Sequence, residues 1–124
     1  MKTIRNTFLA MMVATAGLFA GLAPSIGSTF YAWQVTDVPQ WDTLNVRAYP
    51  GSQSQILVAY PNGTLLSMTG VCTKGLNLGQ ISGLPAWQQR QYVHYLWCQA
   101  WVDPQGSGQY QAAWVYGKYL APAS

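Results

Sequence analysis

The stretch from Leu96 to Leu120 constrains the fold of this chain more than any other. Its two arms, 97–102 and 110–115, are rich in the aromatic and β-branched residues that favour strands. Between them lies Asp103-Pro104-Gln105-Gly106-Ser107-Gly108. In such a segment proline fixes φ, glycine allows positive φ, and aspartate can bond its own backbone. The pattern predicts an antiparallel hairpin near the end of the chain.

The first 28 residues have the layout of a secretory signal peptide. Two cationic residues precede an apolar run over 8–22, and small residues follow it. A membrane-spanning helix is the alternative, but the run is interrupted by Gly17 and Gly21 and is shorter than the roughly 20 residues that a span requires. We interpret 1–28 as a signal peptide, and we expect a periplasmic or secreted protein with no membrane span after cleavage.

Removal of this segment changes the charge balance. The whole chain has a formal net charge of +3, but two of its six cationic residues, Lys2 and Arg5, belong to the predicted signal. The other four stand against three aspartates, which leaves a net charge of +1. Nucleic-acid binding requires a basic stripe that contacts several phosphates, so we expect no nucleic-acid partner.

Only two cysteines occur in the chain, and both fall in strand-like segments. Cys98 lies in the first arm of the hairpin, and Cys72 ends an earlier strand-like run. In an exported protein, two cysteines indicate one disulfide bond. A reactive or metal-binding pair is the alternative, but a metal would want more ligands than two cysteines and the single His94. We expect a Cys72–Cys98 disulfide and no metal site.

Residues 29–121 are long enough for one domain with a modest core, followed by a short tail over 122–124. Segments 29–38, 43–47, 56–60 and 64–68 are strand-like, in addition to the two hairpin arms. In the second of these, Leu44 and Val46 alternate with polar residues and should face inward, whereas Arg47 should face outward. Between the cysteines, 87–91 tolerates a short helix, whereas 92–97 favours an extension of the strand that contains Trp97.

Five motifs, in order along the chain, resemble the bacterial SH3 (SH3b) family. They are Leu44-Asn45-Val46-Arg47, Tyr49-Pro50-Gly51, Pro61-Asn62-Gly63-Thr64, Trp97, and Ala-Trp-Val-Tyr-Gly-Lys-Tyr-Leu over 113–120. The resemblance covers most of 35–121, and the two cysteines resemble those of a subset of the family. It implies an all-β fold, a small SH3-like barrel of five to six strands. Residues 73–96 are then an inserted loop with a possible short helix.

The resemblance also implies where a ligand binds. The aromatic groove of SH3-like domains corresponds here to Trp97, Tyr116 and Tyr119. Tyr49 stands where the family commonly has glycine, at the base of a loop, and either fills core space or lines the groove. Tyr116 stands where eukaryotic SH3 domains have proline, so proline-helix ligands are not assumed.

A disulfide would hold the ends of the 73–96 insertion close together beside Trp97. The insertion would then project as a closed lobe. In one arrangement the groove is walled by Trp87, Tyr92 and Tyr95, and Arg90 is a donor for a carboxylate of the ligand. In the other, the lobe folds over the groove and closes it.

The residues offer little for catalysis. The chain has no glutamate, and its three aspartates sit at turns or strand edges, where backbone hydrogen bonding accounts for them. His94 and Cys98, four apart on a predicted strand, would lie about 13 Å apart. We expect no catalytic residue and no cofactor, but a non-enzymatic module that binds a cell-wall peptide or an envelope protein. The alternatives are a secreted interaction factor or inhibitor that acts through 73–96, and a small hydrolase.

Overall fold

Residues 31–123 are described by the computed structural model, and the predicted signal peptide lies outside them. Seven antiparallel strands and one helix make up this part of the chain. The strands are β1 (Tyr31–Val35), β2 (Leu44–Arg47), β3 (Ile56–Tyr60), β4 (Leu65–Cys72), β5 (Trp97–Val102), β6 (Gln111–Tyr116) and β7 (Leu120–Pro122), and the helix is α1 (Ala86–Val93). Short 3-10 turns cover Thr73–Gly75, Leu78–Gln80 and Gly117–Tyr119.

The strands form one sheet in the order β3-β2-β6-β5-β4-β1-β7. The all-β prediction is confirmed, but the sheet has seven strands instead of five or six, and it is not a closed barrel. The extra strand is β7, which has three residues and pairs with β1. A three-residue strand that ends in proline is too short to produce a recognisable alternation in the sequence.

The predicted hairpin is confirmed. β5 and β6 pair along their full length, from Trp97↔Tyr116 to Val102↔Gln111. In the turn, the Asp103 carboxylate accepts two backbone N–H bonds, at 3.0 and 2.8 Å. Two glycines of the turn have positive φ values of 64° and 84°. The turn therefore uses the aspartate and the glycines as their residue types predict.

The core lies on the inward faces of the strands, with contributions from the helix, from the 3-10 turn at Leu78–Gln80 and from connecting segments. Leu44 and Val46 are buried, as their alternation predicts. The largest fully buried side chains are Met68, Leu78, Leu120, Val35, Val46, Val93, Val102, Val115 and Cys98. Burial of side chains of this size stabilises the fold by about 1.5–3 kcal/mol each.

A disulfide bond joins Cys72 to Cys98, as predicted. The two residues are direct cross-strand partners between β4 and β5, and both are buried. The bond closes the 73–96 insertion at its base.

The insertion contains the helix, but its end differs from the prediction. Residues 92–96 were expected to extend the Trp97 strand, whereas α1 continues to Val93 and β5 begins only at Trp97. Val93 is completely buried, and the Leu96 N–H donates to its carbonyl at 2.8 Å, which turns the chain out of the helix. Tertiary packing of Val93 has overridden the β-propensity of this segment. Over the described range, no helix is long and apolar enough to cross a membrane.

Candidate functional site: an aromatic groove

A groove of about 640 Å³ opens beside β2, β5 and β6. Its floor carries Trp97, Tyr116 and Tyr119, and its walls come from two connections. One wall is the segment between β1 and β2, and the other is the loop between β2 and β3. The groove is therefore formed where two loops rise on either side of the sheet.

The three aromatic residues of the floor form a continuous row. The ring centroids of Trp97 and Tyr116 are 5.2 Å apart, and those of Tyr116 and Tyr119 are 6.3 Å apart. Both distances fall in the range of favourable aromatic pairs. The first contact follows from the register, because Trp97 and Tyr116 are cross-strand partners. The three side chains therefore lie together, and their role in binding stays a prediction.

Hydrogen bonds to side chains hold both walls of the groove. In the first wall, the Val38 N–H donates to Asn62 Oδ1 at 3.0 Å, and Asn62 Nδ2 donates to the Val38 carbonyl at 2.6 Å. In the second wall, Ser54 Oγ donates to the carbonyls of Tyr49 at 2.8 Å and Gly51 at 3.1 Å. Both walls are therefore fixed by interactions within the protein.

Polar side chains line the groove beside the aromatic floor. Arg47 Nη1 donates to the Ser54 carbonyl at 2.7 Å. Asp42 Oδ1 accepts a bond of 2.7 Å from the Thr43 N–H, and Asn45 lies on the same strand as Arg47. No motif in the sequence marks Asp42, Asn45 or Arg47 as part of a site. The alternation along β2 indicates that Asn45 and Arg47 point outward, but not that two loops enclose the surface they point to.

Tyr49 does not lie in the lining of the groove. Its side chain is 71% exposed, and its loop contributes Gly51 and Ser52 to the wall instead. The hydrogen bonds from Ser54 to the carbonyls of Tyr49 and Gly51 hold the loop in this conformation. Tyr49 therefore neither fills the core nor lines the groove, and a role in ligand binding stays a prediction.

The insertion neither walls the groove nor covers it, because no residue of 73–96 belongs to its lining. Trp87 is 61% exposed on α1, away from the groove. The Arg90 guanidinium forms an ion pair with Asp37 and donates to the Leu120 carbonyl at 3.2 Å. Arg90 thus ties α1 to the end of β1 and to β7, and it is engaged within the protein instead of free for a carboxylate in the groove.

The candidate catalytic residues do not converge among residues 31–123. His94 lies at the C-terminal end of α1, and Cys98 is bonded to Cys72, so neither cysteine carries a free thiol. Asp42 and Asp103 accept local backbone bonds, and Asp37 pairs with Arg90. No group of three His, Cys, Asp or Glu side chains lies close enough to hold a metal ion within the same range.

The groove offers apolar surface together with hydrogen-bonding groups. Aromatic faces contribute apolar area, the Tyr hydroxyls and Arg47 can donate hydrogen bonds, and Asp42 and Asn45 can accept them. This combination suits a ligand with both apolar and polar parts. Comparison of the chain with models of protein families, with curated proteins and with solved structures gave no match.

Proposed function

We propose that this protein is an exported, non-enzymatic binding module of the bacterial envelope. It recognises a cell-wall peptide, or a peptide segment of an envelope protein, in the aromatic groove. The observation that carries the proposal is the convergence of Trp97, Tyr116 and Tyr119 in the floor of one open groove. Trp and Tyr dominate binding energies because each brings a large rigid surface and a polar group.

The proposal takes the domain to be of the SH3-like type, and the positions of the five motifs support this. Leu44–Arg47 coincides with β2, the 49–51 motif lies in the loop between β2 and β3, and the Pro61–Thr64 motif lies in the turn between β3 and β4. Trp97 opens β5, and 113–120 covers most of β6, the following 3-10 turn and the first residue of β7. Each motif thus falls on the kind of element that the resemblance implies for it.

Export is supported by the covalent structure. The disulfide between Cys72 and Cys98 lies inside the sheet, and bonds of this kind persist in oxidising compartments such as the periplasm. A signal peptide over 1–28 belongs to the same proposal. Edman sequencing or mass spectrometry of the protein from periplasmic extract would identify the first residue after cleavage.

Sedimentation with purified peptidoglycan tests the binding proposal. We expect the unmodified protein to pellet with the polymer and Trp97→Ala to stay in solution. Trp101→Ala is a matched control, because Trp101 lies on the same strand, is 42% exposed and does not line the groove. It should pellet like the unmodified protein. Unmodified protein that stays in solution would reject the cell-wall peptide and leave a segment of an envelope protein as the ligand.

A second candidate function uses the insertion. Trp87, Tyr92 and Tyr95 are 61%, 55% and 77% exposed, on α1 or just after it. Exposed aromatic residues on one short segment favour a surface that contacts another protein. In that case the protein is a secreted interaction factor or inhibitor. Cross-linking from position 87 in cells would capture the partner, and capture would persist in Trp97→Ala.

A further inference from the structure

We infer that the groove receives the free carboxylate at the end of a peptide chain, with Arg47 as the contact for its charge. This inference rests on the proposed function, to which it adds the chemistry of the ligand. It depends on two independent features, a gap between β2 and β6 and a guanidinium without an acidic partner.

The gap arises because β2 and β6 separate after a single pair. They form one ladder pair, Arg47↔Trp114. In an antiparallel ladder, Asn45 and Tyr116 would be the next pair of the same type, two residues further along each strand. They are not paired, and both line the groove. The groove is therefore the opening between two strands that diverge.

Backbone groups of both strands are directed at this opening. The Ala48 N–H donates to the Gln55 carbonyl at 2.9 Å, on the β3 side of β2. Because backbone groups alternate between the two sides of a strand, those of Asn45 point to the β6 side.

On β6 the same alternation applies. The Gly117 N–H donates to the Leu96 carbonyl at 2.7 Å, towards β5, so the backbone groups of Tyr116 point to the β2 side. The ladder leaves these N–H and C=O groups of Asn45 and Tyr116 without a strand partner. A carboxylate at the end of a peptide ligand can accept hydrogen bonds from the two N–H groups. The last amide N–H of that peptide can donate to one of the two carbonyls.

Arg47 provides the charge that selects a carboxylate. A guanidinium has five N–H donors, and Nη1 of Arg47 uses one of them on the Ser54 carbonyl. Among residues 31–123 the only ion pair is Arg90 with Asp37, so no carboxylate of this part of the chain neutralises Arg47. The planar fork of arginine matches the two oxygens of a carboxylate.

Asp42 restricts what the rest of the ligand can be. It lines the same groove as Arg47, but the two side chains form no ion pair. Its negative charge repels a second acidic group, so the ligand has its carboxylate at the chain end and neutral or cationic groups behind it. Trp97 and Tyr116 contact the side chains next to the carboxylate.

One pair of peptides tests the inference without any change to the protein. N-acetyl-Ala-Ala-Ala is titrated as the free acid and as the C-terminal carboxamide, and the NMR signals of the Trp97 indole N–H and the Arg47 Nε–H are followed. We expect the acid to bind at least about tenfold more tightly than the amide, because it forms charge-assisted hydrogen bonds. In Arg47→Gln this ratio should fall to about one, and Arg47→Lys should be intermediate.

The control variant is Lys118→Gln, which removes a cation outside the groove and should keep the ratio. Equal affinity for acid and amide, with shifts at Trp97, would overturn the carboxylate inference while the proposed function survives. If neither peptide shifts the groove signals, the carboxylate inference falls, whereas the proposed function is decided by sedimentation with peptidoglycan. Loss of the Ser54 contact could weaken the fold of Arg47→Gln, but the comparison of acid with amide on the unmodified protein decides the question by itself.

Discussion

A methyl group on Gly117 would collide with the backbone carbonyl of Val93, because the closing 3-10 turn lies directly against the end of α1. The Leu96 carbonyl is also within 2.9 Å of the position that a Cβ would occupy. Only glycine allows this approach. The helix of the insertion and the segment that carries Tyr119 are therefore packed backbone to backbone.

Substitution of this residue should damage the fold. We expect Gly117→Ala to lower the free energy of unfolding by about 1–3 kcal/mol, since the backbone atoms that it meets cannot rotate away. Gly83→Ala is the matched control, because nothing lies within 4 Å of its Cβ position and its φ is not positive. Urea denaturation measures both. Equal midpoints for the two variants would show that the turn and the helix are not packed in this way.

The disulfide should account for a large share of the stability. Its two cysteines are 26 residues apart in sequence. For a loop of this size, the chain-entropy description gives a loss of about 3.5 kcal/mol on reduction. Urea denaturation with and without a reducing agent measures the loss. Intact mass of the protein from periplasm, before and after reduction and alkylation, tests the bond itself, and two free thiols in the unreduced sample would contradict it.

Position 62 should require a side chain that carries an amide. It donates to the Val38 carbonyl and accepts from the Val38 N–H. Asn62→Asp loses the donor and places a carboxylate oxygen against a carbonyl, so we expect a loss of about 1–3 kcal/mol in unfolding free energy.

Asn77→Asp is a suitable control for this substitution. The Asn77 side chain acts as an acceptor, for the Gly79 N–H at 2.9 Å, and aspartate keeps that role at the start of a 3-10 turn. Its stability should be close to that of the unmodified protein. An equal loss in both variants would mean that the amide N–H of Asn62 does not contribute.

Tyr60 should make the fold sensitive to alkaline pH. Burial raises the pKa of its phenol above the ordinary value of 10.0, and the charges of Tyr110 and Asp103 raise it further. The folded state thus keeps the proton at a pH where the unfolded state has lost it. Stability from this group is intact below about pH 10 and falls as the pH rises through the folded pKa. Tyr60→Phe should reduce this decline in urea midpoints, and an unchanged decline would contradict the assignment.

Local signals in the sequence predicted the elements that local interactions determine. Asp103 and the glycines of its turn fix the hairpin, and the register of that hairpin brings Trp97 and Tyr116 together. Leu44 and Val46 alternate with polar residues along β2, and this local pattern indicates which face of the strand points inward. These features depend on residues close in the sequence or directly across a tight turn.

Contacts between distant segments determine what the sequence did not predict. The end of α1 depends on the burial of Val93, which no propensity encodes. Arg90 was expected to face a ligand, but its partner Asp37 is 53 residues away in sequence. The place of Arg47 in the groove depends on two loops whose shape is set by Asn62 and Ser54. Such pairs carry no sequence signature in a single chain.

Calorimetric titration with soluble cell-wall peptides tests the central claim most directly. Trp97→Ala and Trp87→Ala are compared with the unmodified protein, each first checked for an unchanged melting transition. Because Trp97 lines the groove and Trp87 does not, we expect Trp97→Ala to weaken binding by at least about 1 kcal/mol and Trp87→Ala to leave it unchanged. Unchanged affinity in Trp97→Ala, or a loss confined to Trp87→Ala, would contradict the groove as the binding site.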